Sequence, residues 1–115
     1  MSSPRPARSA VLSLDSALAR LGATPEKFIE LFAHGTLSVE LYRPGDVDLQ
    51  QPHERDEVYV VARGEGSFLH DGRRSRIGPG DLLFVPARVE HRFEDFTPDL
   101  TVWVLFYGPS GGEAA

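Results

Sequence analysis

The chain has 115 residues, enough for one domain with a sizeable core, and 41% of them are hydrophobic. Its net charge of −5 argues against a nucleic-acid-binding protein, which needs a basic surface to displace counterions from phosphates. Cysteine is absent, so disulfides and thiolate-bound zinc are excluded, and any metal site must use nitrogen and oxygen ligands.

The ends of the chain are predicted to be flexible. Residues 1–12 form a predicted N-terminal lead, and a signal peptide is not expected because Asp15 interrupts the only candidate apolar segment. No apolar run approaches the roughly 20 residues that a membrane-spanning helix needs, so no membrane partner is expected. Residues 13–107 form the predicted domain, 108–115 a predicted flexible tail, and the expected location is the cytoplasm.

A short helix is predicted at the start of the domain. Ser13 suits the N-cap, Asp15 the first turn, and Gly22 the position after the last helical residue. The next segment, 28–32, fits either a helix or a strand. A strand is favoured, because 33–36 is a good tight turn and apolar residues alternate in 37–41.

From there to residue 107 the pattern is that of β-structure. Gly and Pro punctuate about eight short runs at the spacing typical of an antiparallel sandwich or small barrel. Asp71-Gly72 is the clearest two-residue hairpin turn, because both residue types tolerate positive φ.

Four polar side chains in this region predict a metal site. Gln51 and His53 would share one face of a strand, Glu57 begins the next strand, and His91 opens another. A carboxylate pointing into a barrel needs a partner, which is either a metal or one of the arginines Arg88 and Arg92. Two imidazoles and a carboxylate suit iron, and manganese, nickel and zinc also accept them.

The spacing of these residues resembles that of the cupin superfamily. The family's first motif is Gly, five residues, His-x-His, three or four residues, Glu, six residues, Gly; its positions here are Gly45, Gln51, His53, Glu57 and Gly64. The second motif is Gly, five residues, Pro-x-Gly, two residues, His, three residues, Asn; its positions here are Gly80, Pro86, Arg88, His91 and Asp95.

The resemblance implies an all-β jelly-roll barrel, or double-stranded β-helix, with a divalent metal held by His53, Glu57 and His91. Gln51 replaces the family's first ligand histidine, and either binds the metal through its amide oxygen or hydrogen-bonds beside it. Arg88 replaces a turn glycine. Asp95 replaces the terminal Asn and could orient a ligand imidazole.

Three functions remain open at this point. The first is a metal-dependent enzyme, such as a dioxygenase, isomerase or decarboxylase, that acts on a small organic molecule. The second is a non-catalytic module that senses or binds a small ligand, and the third is a metal-free structural barrel. Tyr59 and Phe93 are predicted to line the substrate pocket. No separate general acid or base is evident, although Tyr59 and Glu90 are placed to serve. A homodimer is expected, because an uncovered edge strand tends to find a partner.

Overall fold

The computed structural model describes residues 11–114, in which one helix precedes eight strands. The elements are α1 (Leu14–Gly22), β1 (Phe28–His34), β2 (Leu37–Tyr42), β3 (Asp56–Arg63), β4 (Gly66–His70), β5 (Arg73–Ile77), β6 (Leu82–Val85), β7 (His91–Glu94) and β8 (Thr101–Tyr107). The predicted helix and strands are therefore confirmed, and the ambiguous segment 28–32 is a strand.

The strands form two facing antiparallel sheets. One sheet has five strands in the order β1-β2-β8-β3-β6, and the other has three in the order β5-β4-β7. The architecture is the predicted all-β jelly roll. Within residues 11–114 the two sheets are not hydrogen-bonded into a closed barrel, because β6 pairs only with β3 and β5 only with β4.

Helix α1 covers the outer face of the five-stranded sheet. Ser13 caps it, its hydroxyl accepting a hydrogen bond from the Ser16 amide at 3.1 Å, and Gly22 is its last residue rather than the residue after it. Leu21 packs with Leu31 of β1 and Leu41 of β2 in one buried cluster. Each leucine buried in this way stabilises the fold by roughly 1.5–3 kcal/mol.

A second apolar cluster fills the space between the sheets. Its buried members are Tyr42, Tyr59, Val61, Phe68, Ile77, Val85, Phe93, Leu100, Val102 and Val104. The hairpin that joins β4 to β5 has the predicted turn, with Asp71 at φ 50° and Gly72 at φ 81°.

Register places polar residues of β2 and β3 in the same space, with apolar residues of β8 between them. Glu57 of β3 lies opposite Phe106 of β8, and Phe106 lies opposite Ser38 of β2. In the neighbouring row of cross-strand partners, Val104 of β8 lies between Tyr59 of β3 and Glu40 of β2. Because side chains alternate along a strand, these rows share the face that looks into the interior.

The segment after β8, for which a flexible tail is predicted, contacts the first residue of β3 and the loop before it. Asp56 accepts hydrogen bonds from the amides of Glu113 at 2.8 Å and Ala87 at 2.9 Å, and these bonds lower the pKa of its carboxyl. Most of the predicted N-terminal lead lies outside the described residues, although Leu12 packs against the α1 cluster. No helix within residues 11–114 combines the length and hydrophobicity needed to cross a membrane.

Candidate metal centre

Three predicted ligands meet at one end of the interior. His53, Glu57 and His91 each present an atom within 4.8 Å of the others. His91 Nε2 lies 3.0 Å from Glu57 Oε1, and His53 Nε2 lies 3.7 Å from the same oxygen. Two imidazole nitrogens therefore face one carboxylate.

Separate elements position these residues. Glu57 lies within β3, between β6 and β8, and its side chain is fully buried. His91 begins β7 in the opposite sheet and is 2% exposed. His53 lies in the loop before β3, where its carbonyl accepts a hydrogen bond from the Arg88 amide at 2.6 Å. This bond joins the loop that carries His53 to the turn that precedes His91.

One hydrogen bond fixes the orientation of His91. Its Nδ1 lies 2.9 Å from the carbonyl oxygen of Val89, which can only accept, so Nδ1 carries a proton. Nε2 consequently faces the Glu57 carboxylate. Burial lowers the pKa of His91, but the contact with Glu57 and the hydrogen bond to Val89 outweigh it and raise the pKa.

His53 behaves in the opposite way. Burial is the largest influence on its pKa and lowers it, the nearby Glu57 charge opposes this, and a charge on His91 lowers it further. A neutral His53 has a nitrogen lone pair available for a metal.

The environment of Glu57 tests whether a metal fits. No hydrogen-bond donor within residues 11–114 is aligned with either carboxylate oxygen, although both oxygens are buried. The two arginines that could have paired with it lie elsewhere: Arg88 contacts Glu54, and Arg92 contacts Glu94. A buried carboxylate that lies beside imidazole nitrogens but has no aligned donor is costly unless a positive charge sits between these groups, and a divalent cation bound jointly with both imidazoles supplies that charge. The residues present therefore fit a divalent metal.

An amide oxygen also reaches this point, and it belongs to Gln50. Asp48, which is buried, accepts a hydrogen bond from Gln50 Nε2 at 3.0 Å and so turns Gln50 Oε1 towards the site. That oxygen lies 3.2 Å from His53 Nε2 and accepts a hydrogen bond from the Tyr59 hydroxyl at 2.8 Å.

The chain is similar to known proteins in both sequence and fold. The sequence model of the cupin domain family matches residues 38–107. The chain belongs to the cupin family. An uncharacterised protein of Streptomyces coelicolor is 33% identical over 98 residues, which cover 84% of this chain and 93% of that protein.

Solved structures show the same fold. KdgF from Halomonas sp. superposes with a TM-score of 0.62 at 25% identity, covering 71% of this cupin and 77% of KdgF. The DMSP lyase DddQ from Ruegeria pomeroyi DSS-3 superposes with a TM-score of 0.58 at 29% identity, covering 67% of this cupin and 41% of the lyase.

Several predicted site residues lie elsewhere. Gln51 is exposed, because residues 47–53 form a loop rather than a strand and the expected alternation does not hold. Asp95 is exposed at a bend with φ 48°, and the carbonyl of Val89 takes the orienting role predicted for it. Glu90, an acid–base candidate, is also exposed.

The two predicted pocket residues have different positions. The hydroxyl of Tyr59 reaches the site and lies 3.1 Å from His91 Nε2. Burial, followed by the Glu57 charge, raises the pKa of Tyr59, so the hydroxyl keeps its proton. Phe93 packs behind Tyr59, with ring centroids 5.1 Å apart, and is core rather than pocket wall.

Two cavities open beside His53. One of about 480 Å³ is lined by polar residues of the β1–β2 hairpin together with Glu54, Arg55 and Phe106. The other, of about 300 Å³, is more apolar; its lining residues are Phe28, Glu40, Tyr42, Gln50, His53, Val104 and Phe106. The sequence reasoning missed Asp48, Gln50 and Glu40. A signal for Asp48 and Gln50 was present in the sequence, since both are polar residues close to the first motif.

Proposed function

We propose that this cupin is a metal-dependent enzyme that acts on a small organic molecule. His53, Glu57 and His91 hold a divalent metal, chosen from iron, manganese, nickel and zinc, and the Gln50 amide oxygen lies beside it as a fourth donor. The observation that carries the proposal is the buried Glu57 carboxylate, which faces two imidazoles and has no aligned donor within the described residues.

The surrounding residues prepare the site for a ligand. A bound metal of this kind polarises a substrate oxygen or activates water or dioxygen. His53 and Gln50 line the 300 Å³ cavity, so a molecule in the cavity contacts the ligand cluster directly. The Tyr59 hydroxyl, held by Gln50, keeps a proton at the buried side of the site. Similarity to a lyase supports an enzyme of the lyase, isomerase or oxygenase type.

Metal analysis tests the site. Protein expressed without added metal should contain a stoichiometric amount, and His53→Ala combined with His91→Ala should remove it. His34→Ala is the matched control, because His34 is exposed at the end of β1. Equal, negligible metal in the wild type and the double variant would show that the site does not exist.

Turnover separates the enzyme from a binding module. The metal-loaded protein is incubated with a panel of small carbonyl and carboxylic compounds, with oxygen uptake and mass spectrometry as readouts. Conversion that is lost in the double variant supports catalysis. A metal-loaded protein that retains a compound unchanged supports non-catalytic ligand sensing instead.

We also propose that the protein forms a homodimer through the outer face near β6. Leu82 is 66% exposed and Phe84 48% exposed, on a strand that has one edge unpaired within residues 11–114. They lie opposite Val60 and Val58, which extends the apolar surface onto β3. Light scattering after size-exclusion chromatography should give twice the chain mass; a monomer of 12.7 kDa contradicts the proposal.

A further inference from the structure

The 300 Å³ cavity combines three aromatic side chains with a single carboxyl group. Phe28, Tyr42 and Phe106 contribute the rings, and Glu40 the carboxyl. The Tyr42 hydroxyl donates a hydrogen bond to Asp48 at 2.6 Å, which holds its ring in place. Aromatic faces around one negative charge are the surroundings in which proteins bind organic cations.

Glu40 lies on the same interior face as the metal centre. It is opposite Val104, which in turn is opposite Tyr59. The small valine leaves room in this row, and β2 is two strand spacings from β3, roughly 10 Å. A ligand that reaches from Glu40 to Glu57 is therefore a small molecule.

Glu40 differs from its neighbours in having no hydrogen-bonded partner within residues 11–114. Glu54 pairs with Arg88 at 2.9 Å, and Glu30 accepts a hydrogen bond from Ser38 at 2.9 Å. Burial, then the charges of Glu30 and Glu57, raise the pKa of Glu40 to about 7, and Arg55 only partly opposes them. Arg55 lines the larger cavity but not the 300 Å³ one, so among the described residues no positive side chain lines the smaller cavity beside the Glu40 carboxyl.

We propose that this cavity binds a positively charged alkylammonium group of the substrate, with Glu40 supplying the opposite charge and the rings forming the walls. The inference names the substrate class of the proposed metal site and so rests on the proposed function. The substrate then carries its ammonium group at Glu40 and an oxygen directed towards His53 and Glu57. Phe106 already has one cation above its ring, since the Arg55 guanidinium lies 5.7 Å from its centroid.

Two probes of equal shape test the charge preference. One is choline, and the other is its uncharged tert-butyl analogue, in which carbon replaces nitrogen. Isothermal titration at pH 8 should show choline binding about tenfold more tightly. Equal affinities for the two probes, or no binding of either at millimolar concentration, would overturn the inference.

Variants assign the preference to Glu40. Glu40→Gln keeps the shape, removes the charge and should abolish the preference, whereas Glu54→Gln should retain it because Glu54 is 65% exposed and paired with Arg88. A preference that survives Glu40→Gln contradicts the inference. If Glu40→Gln fails to fold, Phe28→Leu provides the second test. It removes one aromatic ring at the exposed rim of the cavity, and it should weaken the binding of choline but not that of the uncharged analogue.

The measurements separate the two proposals. Titrations are run on chelator-treated protein, so that binding of the cation is measured without a bound metal. Normal metal content without charge preference overturns only this inference. Charge preference in a protein that never takes up metal overturns only the proposed metal site.

Discussion

The two ends of the space between the sheets are built from the same strands, but one end buries apolar side chains and the other buries polar ones. Val61 follows Glu57 by four positions along β3, and both side chains face inwards. Around Val61 the neighbours are apolar and include Val102 and Phe68. Around Glu57 they are imidazoles and an amide, with one end open to two cavities.

This difference separates stability from function. The apolar end gains roughly 1.5–3 kcal/mol for each large side chain that it buries. The polar end takes ionisable groups out of water, which costs several kcal/mol unless they are paired. Burial at the apolar end therefore offsets the free-energy cost of the polar site. Substitutions at the two ends should have different effects on the free energy of unfolding.

The largest effect is expected in the core behind the site. Phe93 is 1% exposed and packs against Tyr59 and Phe68. Phe93→Ala should lower the free energy of unfolding by about 3–5 kcal/mol, because it leaves a cavity. Denaturant unfolding measures this, with Leu49→Ala as the control at a leucine that is 70% exposed in a loop, where less than about 1 kcal/mol should be lost. Similar losses in both variants would contradict the assignment of the core.

Metal addition should stabilise the polar end and leave the apolar end unchanged. At a metal concentration 100 times the dissociation constant, the wild type should gain about 2.7 kcal/mol over chelator-treated protein. The Glu57→Gln variant should gain no stability when metal is added. Its metal-free stability should be no lower than that of the wild type, because a neutral amide costs less to bury than a carboxylate. Thermal melts with and without chelator measure both quantities.

A smaller effect is expected at Glu40 and depends on pH. Its pKa is raised from 4.5 to about 7, so the folded state holds a proton that the unfolded chain releases. Stability is full below the unfolded pKa and is lost as the pH rises through the folded pKa. Glu40→Gln removes this loss. It should match the wild type near pH 4 and exceed it by about 1–2 kcal/mol near pH 8, allowing for partial exposure. A constant difference at all pH values would contradict the raised pKa.

The sequence allowed the strands and the three-residue cluster to be predicted because both depend on spacing. His53, Glu57 and His91 lie at fixed distances from turn residues, and the structure brings them together. The amide side chain that reaches the site belongs to Gln50, one position before the predicted Gln51. Alternation was applied to Gln51, but the segment that contains Pro52 is a loop, and a shift of one residue turns a side chain to the other side.

Glu40 could not have been found from the sequence. Along β2 the residues Ser38, Glu40 and Tyr42 alternate with Val39 and Leu41, which normally indicates a polar face towards solvent. Here the apolar face lies under α1, and the polar face looks into the interior. The hydrophobic pattern gives the alternation but not which face a helix will cover.

The smallest predicted effect concerns the turn that connects the two halves of the site. Arg88 has φ 68°, a left-handed conformation that costs a residue with a side chain about 1–2 kcal/mol. Its amide holds the His53 carbonyl, and its guanidinium pairs with Glu54, so replacing it changes both strain and charge. Comparing Arg88→Gly with Arg88→Ala isolates the strain, because both variants lose the ion pair. The glycine variant should be the more stable by about 0.5–1 kcal/mol in denaturant unfolding, after allowing for the greater entropy that glycine loses on folding. If the alanine variant is equally stable, the turn relaxes when the arginine is removed, and His53 is then not held by this backbone conformation.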